Sequence, residues 1–276
     1  MNFQLGLIGY PIKHSLSPWI HETFLEKTNL KGTYSIIEIE ERSFAEEIEK
    51  LKKRDIDGFN VTVPYKEKII PFLDEIDPQA SAIGAVNTVQ NKDGKWIGYN
   101  TDGIGYMRSL ISKYPELKKD KNIAILLLGA GGAAKGILHA LVENGYTNIT
   151  IANRSLDRAS ELAKANGQIE ILPLNDAEAN LAAYSLIIQT TSVGMKPNAD
   201  RSIISLANVR KGAIVSDIVY QPLVTNFLKE ASFHGARIHF GHTMLLYQAQ
   251  YAFEIWTGIK PEIGTMDDEL KTILEG

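Results

Sequence analysis

The chain has 276 residues, a formal net charge of −4 and no cysteine; at that length two domains are expected, with ample material for both cores. The charge balance gives no general pull toward nucleic acid or an anionic membrane, and Lys and Arg are scattered along the chain, so neither partner is expected. Absence of cysteine excludes disulfides, thiol nucleophiles, Cys-ligated zinc and iron–sulfur clusters, and suits a reducing cytoplasm.

The opening MNFQLGLIGYP lacks the basic n-region of a signal peptide, and the longest apolar run, Ile123 to Ala134, is too short to span a membrane. LGLIG reads as a strand ending at Gly9. In the loop YPIKHSLSP, Ser15 and Ser17 alternate, so in extended backbone both hydroxyls point the same way and can bind one polyhydroxylated ligand. Ser17 reads equally as the N-cap of the helix WIHETFLEK, with Pro18 at its first position. TYSIIEI is a second strand, and Glu40 to Lys50 an amphipathic helix.

In DGFNVTVPYK the alternation sets Asn60 and Thr62 on a polar face and Val61 and Val63 on a buried one. Pro64 ends the ladder and leaves Lys66 at the strand's mouth, where a solvated Lys is the ordinary occupant. IGAVNTV supplies Asn87 and Thr88. IGYNTDGIGYM places Asn100, Thr101 and Asp102 where a strand gives way to a helix, a position an Asp also takes as N-cap.

After the connector LKKDKN, the stretch IAILLLGAGGAAKGILHAL reads as strand, turn and helix. Gly129, Gly131 and Ala134 fit G-x-G-x-x-G/A, in which the glycines admit a pyrophosphate to the helix N-terminus. A glycine triplet alone is also a plain tight turn, but the strand NITIA then closes a βαβ unit. At its end stand Asn153 and Arg154, where NAD-binding units carry an acid for the ribose. Arg154, with Arg158 one helical turn on, can pair with a 2′-phosphate and so favours NADP; two solvated arginines are the alternative.

SLIIQTT, GAIVSDIVY and ARIHF extend this half into a parallel, doubly wound sheet, with TTSVGM and DIVYQP beyond the strand ends, where ligands bind. GHTMLLYQAQYAFEIWTG is an amphipathic helix carrying Leu245, Leu246, Ala249, Phe253 and Trp256 at helical spacing. Gln248 near its apolar edge reads as a surface or a ligand-binding residue. The histidines show no metal-ligand spacing, so no metal is expected.

SLSP, NVTVPYK, IGAVNTV, NTDG, GAGGAA, NRS, TSVGM, DIVYQP and MLLYQAQ, in that order over nearly the whole chain, resemble the shikimate dehydrogenase family. The resemblance implies a two-domain α/β fold. The substrate domain, with a mixed, mainly parallel sheet, is expected at 1–103 plus 239–276, and a Rossmann-type NADP-binding domain at 104–238, with the active site in a cleft that closes on its ligands. It implies NADPH-dependent, reversible reduction of 3-dehydroshikimate to shikimate in aromatic amino-acid biosynthesis.

By the same resemblance Lys66 and Asp102 are the catalytic pair, Ser15 and Ser17 bind the substrate carboxylate, and Asn60, Thr62, Asn87 and Gln248 hold the ring hydroxyls, with Tyr220 near the substrate. The phosphate turn is Gly129, Ala130, Gly131, Gly132 and Ala133, the adenosine-phosphate motif Asn153, Arg154, Ser155 and Arg158, and the nicotinamide pocket Met195 and Gly241. Gln189 replaces a commoner Asn before TTSVGM, which leaves one pocket-edge hydrogen bond open, and Ser155 replaces a commoner Thr. The chemistry agrees, because hydride delivery to a ketone builds negative charge on an oxygen that an ammonium can both clamp and protonate. An NAD-using quinate/shikimate dehydrogenase, or a non-catalytic nucleotide-binding regulator on the same scaffold, are the alternatives. Oligomeric state stays open, with a lean to a monomer, and a cytoplasmic location is expected.

Overall fold

A computed structural model of the chain describes residues 2–164 and 169–275. The chain divides into two units, Met1–Asp102 with Gln248–Ile263, and Gly103–Tyr247 with Gly264–Gly276.

The first unit begins with β1 (Asn2–Gly9), α1 (Ser17–Lys27), β2 (Lys31–Glu38), α2 (Phe44–Lys52) and β3 (Gly58–Val61). It continues through β4 (Glu75–Ile76), α3 (Pro78–Ile83), β5 (Thr88–Lys92) and β6 (Lys95–Tyr99). The six strands form one mixed sheet in the order β2-β1-β3-β5-β6-β4, in which β2, β1 and β3 are parallel and β5 is antiparallel to both its neighbours. The β5–β6 hairpin turns on Asp93 and Gly94, at φ 55° and 83°, the left-handed pair that suits the twist of a two-residue loop.

One face of the sheet carries Ile8, Phe59, Val61 and Val89 in a cluster with Ile48, Leu51 and Tyr65. Leu5 and Leu7 of β1 enter a second cluster with Tyr34, Ala252 and Trp256. Gly58 is required by that packing, since a Cβ there would meet the Trp256 indole at 2.3 Å. Two sequence expectations need correction. The strand stops at Val61, so Val63, expected on the buried face, is 68% exposed, while Asn60 on the other face is buried. Nor does Ser17 cap α1: the N-cap is Leu16, without a side-chain hydrogen bond.

The second unit opens with the body of α4 (Asp102–Lys113), then β7 (Ile125–Leu128), α5 (Gly132–Glu143), β8 (Ile149–Ala152), α6 (Leu156–Lys164) and β9 (Glu170–Leu172). There follow α7 (Leu174–Ala179), β10 (Leu186–Gln189), β11 (Ile214–Asp217), α8 (Asn226–Phe233), β12 (Arg237–His239), α9 (Gly241–Thr257) and α10 (Met266–Glu275). The second sheet runs β12-β11-β10-β7-β8-β9, with every pair parallel. That is the strand order of dinucleotide-binding sheets, with the topological switch between β7 and β10. β7 shows why its sequence is apolar throughout: Ile125 and Leu127 enter one core cluster and Leu126 and Leu128 the other, because helices cover both faces. Residues Gly241–Tyr247 of α9 belong to this unit and Gln248–Thr257 to the first. Among the described residues no helix is long and apolar enough to cross a membrane.

Candidate active site

In the first unit Lys66 follows the turn that ends β3, and Asp102 opens α4. Lys66 Nζ donates to Asp102 Oδ2 at 2.6 Å, with the two side chains 29% and 10% exposed. The other carboxylate oxygen accepts from Asn87 Nδ2 at 2.9 Å, so the carboxylate is held from both sides. Asn100 Oδ1 accepts from the Asp102 backbone N–H at 3.1 Å and fixes the backbone at the start of α4. The Lys66 carbonyl accepts from Val86 N at 2.8 Å, which fixes the turn bearing the ammonium against the segment bearing Asn87.

Asn60 and Asn87, read from the sequence as ligands for ring hydroxyls, are themselves heavily hydrogen-bonded. Asn60 Oδ1 accepts from the Tyr34 phenol at 2.8 Å, and its Nδ2 donates to Thr88 Oγ1 and to the Asn87 carbonyl. Asn87 Oδ1 accepts from Thr101 N at 2.8 Å. Thr101 Oγ1 reaches Gln248 Oε1 at 3.3 Å, which joins the C-terminal part of α9 to the cluster and makes Gln248 more than a surface residue. Ser15 Oγ donates to Ser17 Oγ at 3.1 Å, and Ser17 N donates back to Ser15 Oγ at 3.2 Å, so the two hydroxyls are neighbours through a turn into α1, with Leu16 in the right-handed helical region, and not through the extended backbone expected from the sequence. The half-buried Thr62 packs its methyl where Gly9 lacks a Cβ. Behind this cluster His21 stacks on Tyr34 with ring centroids 4.4 Å apart. Burial lowers its pKa to about 3, which keeps the imidazole neutral.

The second unit carries the residues read as a dinucleotide site. Gly129 has φ +114°, and a Cβ there would lie 2.6 Å from Thr190 Oγ1. Its glycine is therefore dictated by backbone conformation and by the close approach of β10. Gly131 and Gly132 face open space, with nothing within 4 Å of an added Cβ. Gly131 is the N-cap of α5 and offers no side-chain bond to the first-turn N–H groups, which leaves them for an anion. Ala130 and Ala133 are half-buried along the same turn. The dinucleotide phosphates thus fit the residues present, on geometry as well as on spacing.

Beyond β8, Asn153 Nδ2 donates to the Ser155 carbonyl at 2.9 Å and shapes the turn into α6. Arg154 and Arg158 are exposed, and no interaction with either is found among the described residues. Met195 is 47% exposed, whereas Tyr220 is half-buried, and burial raises its phenol above the ordinary value. Gly241 is explained by packing: a Cβ would meet the Ile218 carbonyl oxygen at 2.4 Å.

Gln189, the departure from the commoner Asn, resolves into a working contact. Its Nε2 donates to the Val193 carbonyl at 3.1 Å and to Asp217 Oδ1 at 3.2 Å, and its Oε1 accepts from Thr191 N. Asp217 in turn accepts from Val219 N at 2.9 Å and Thr225 Oγ1 at 2.7 Å, and burial raises its pKa to about 6. This pair ties together the two loops that carry Met195 and Tyr220. Sequence reasoning did not single out Asp217, although it opens the DIVYQP stretch at the end of a buried strand beyond which ligands bind. It also missed Tyr34, which reads as one more aromatic in a strand. No cluster of His, Asp or Glu suited to a metal occurs among the described residues.

Comparison with known proteins decides the family. Residues 7–89 match the shikimate dehydrogenase substrate binding domain, 112–218 the shikimate / quinate 5-dehydrogenase family and 241–271 the shikimate 5′-dehydrogenase C-terminal domain. The NADP(+) shikimate dehydrogenase of Oceanobacillus iheyensis is 56% identical over 277 residues, covering 100% of both chains.

The chain belongs to the shikimate dehydrogenase family.

The Bacillus thuringiensis member is 46% identical over 95% of both chains. Among solved structures, the shikimate 5-dehydrogenase of Thermus thermophilus, in complex with NADP(H) and shikimate, superposes with a TM-score of 0.87 at 32% identity over 98% of this chain and 99% of that one. The two-unit α/β architecture with its all-parallel second sheet is that of the shikimate dehydrogenase family.

Proposed function

We propose that the protein is an NADP-dependent oxidoreductase that interconverts 3-dehydroshikimate and shikimate, with the first unit binding the substrate and the second the dinucleotide. The observation that carries the chemistry is the Lys66–Asp102 pair, 2.6 Å apart and held by Asn87. Bound NADP(H) supplies or accepts the hydride at its nicotinamide; the protein's own task is to move one proton and to hold the ring. In the direction of reduction, the Lys66 ammonium donates a proton from Nζ to the carbonyl oxygen as negative charge grows there. In oxidation the Lys66 amine takes that proton back. Asp102 keeps Nζ in place through Oδ2, while Asn87 fixes the carboxylate.

The paired hydroxyls of Ser15 and Ser17 are suited to a carboxylate, and Thr62 and Gln248 to ring hydroxyls. Asn60 and Asn87 have few unused hydrogen-bonding positions, so their main part is to hold this frame. On the cofactor side the uncapped first turn of α5 takes the pyrophosphate and Arg154 with Arg158 the 2′-phosphate. Met195, Tyr220 and Gly241 belong to the nicotinamide end. The cysteine-free composition and net charge of −4 suit a cytoplasmic protein with small-molecule partners and no nucleic acid.

Steady-state oxidation of shikimate with NADP, followed by nicotinamide absorbance, tests the assignment. Wild type is expected to turn over, and Lys66→Ala to lose kcat by about 10²- to 10⁴-fold with little change in KM. Intact turnover in that variant, with only weaker binding, removes Lys66 from the chemistry.

A further inference from the structure

Resting on the reading of Lys66 and Asp102 as the reacting pair, we propose that Tyr34 and Thr88 are positioning residues at the head of a one-way hydrogen-bond chain that ends on the Asp102 carboxylate. The Tyr34 phenol donates to Asn60 Oδ1 at 2.8 Å, Asn60 Nδ2 to Thr88 Oγ1 at 3.0 Å, and Thr88 Oγ1 to Asn87 Oδ1 at 3.1 Å. Asn87 Nδ2 then donates to Asp102 Oδ1 at 2.9 Å.

The direction of the chain is set by groups that have no choice of role. Thr101 N can only donate, and it donates to Asn87 Oδ1 at 2.8 Å, so the amide of Asn87 must turn its NH₂ to Asp102. The Asn87 carbonyl can only accept, and it accepts from Asn60 Nδ2 at 3.2 Å, so Asn60 must turn its oxygen to Tyr34. Thr88, receiving from Asn60, has its own proton for Asn87 Oδ1, which is nearer than Thr101 Oγ1 at 3.4 Å. Tyr34 stays a donor because burial raises its phenol well above the ordinary value.

Hydrogen bonds in series polarise one another, so each donor upstream strengthens the last bond, the one that lands on a charge. Thr88 is fully buried and Asn60 and Asn87 nearly so, which keeps competing water away. The consequence is a carboxylate whose Oδ1 is pinned while its Oδ2 faces Lys66. The Thr88 hydroxyl bonds Asn60 and Asn87 and none of Ser15, Ser17, Thr62 or Gln248, so its loss loosens Asp102 and, through it, Nζ, and leaves those four groups in place. The site therefore depends on Thr88 through kcat and hardly through KM.

The test compares Thr88→Val, Thr88→Ser and Tyr34→Phe with wild type, in steady-state shikimate oxidation with NADP, in thermal midpoint and in hydrogen exchange of the Asn87 side-chain NH₂ by ¹⁵N NMR. Thr88→Val is expected to lower kcat about tenfold with the shikimate KM within about twofold. Thr88→Ser, which keeps the hydroxyl, is expected to restore kcat to within about threefold of wild type, and Tyr34→Phe to lower it about two- to threefold. Asn87 NH₂ exchange quickens in Thr88→Val and not in Thr88→Ser. An unchanged kcat in Thr88→Val, a loss carried wholly by KM, or a serine variant no better than valine overturns the proposal. Where Thr88→Val does not fold, an unchanged kcat in Tyr34→Phe overturns it equally. Inactivity of wild type on shikimate defeats the functional reading instead, and the exchange rate of Asn87 then still decides whether the chain exists.

Discussion

In the first unit the polar groups around Lys66 are satisfied by one another before any ligand arrives, whereas in the second unit the groups that matter are left open. Asn60, Asn87 and Asp102 each hold two or more internal hydrogen bonds, but α5 begins without a side-chain cap and Arg154 is exposed. The first arrangement suits chemistry, in which dipoles must already point where charge will develop. The second suits capture of a polyanion, whose own charge completes the site. Substitutions in the two units should therefore separate into losses of kcat and losses of cofactor affinity.

The largest effect expected is for Asp102→Asn, which removes the charge that orients Nζ: kcat falls about 10²- to 10³-fold and both KM values stay within a few-fold, read from steady-state kinetics. A fall in shikimate affinity of the same size would erase the contrast between the units. Next comes Asp217, a satisfied carboxylate in the second unit whose role is structural. Burial raises its pKa from 3.8 to about 6, so the fold prefers its protonated form. That contribution is whole below about pH 4 and is lost as pH rises through about 6, a range of at most about 3 kcal/mol. Thermal midpoints of wild type should thus decline relative to Asp217→Asn across this window.

Gly129→Ala forces a side chain at φ +114° onto Thr190. It is expected to cost about 1–3 kcal/mol of stability, read by thermal unfolding, and to raise the NADP KM more than it lowers kcat. Arg154→Ala should raise the NADP KM about tenfold and leave any NAD-linked rate unchanged. The smallest effect is for Gln189→Asn, whose shorter amide gives up one of its two donor contacts: the NADP KM is expected to change by less than about threefold.

What the sequence made legible was local. The strand, glycine turn and helix around Gly129 follow one another within a few residues, whereas the pairing of Ser15 and Ser17 comes from a turn at Leu16 and not from the extended backbone their alternation suggested. The strand order of the second unit adds what no local pattern contains, namely which strand lies beside β7. Val63 misled because alternation holds only while a strand lasts; here the backbone turns at once, with Tyr65 N bonded to the Thr62 carbonyl at 2.9 Å. Tyr34 was invisible as a site residue, and Thr88, noted beside Asn87, carried no sign of its role, because their contacts to Asn60 join strands far apart in the chain, and a tyrosine or threonine in a strand needs no other explanation. Gln248 interrupts the apolar edge of α9, but one polar residue in a helix does not mark the point where the chain passes from one unit to the other.

The most direct measurement is the rate of nicotinamide reduction by the purified protein with four pairs, shikimate or quinate each with NADP or NAD. Shikimate with NADP is expected to exceed the other three in kcat/KM, by about tenfold or more over shikimate with NAD if the 2′-phosphate is bound as Arg154 suggests. Equal rates with NAD, or quinate oxidised as well as shikimate, would contradict the specificity assigned to this site, and no turnover with any pair would contradict the enzyme itself.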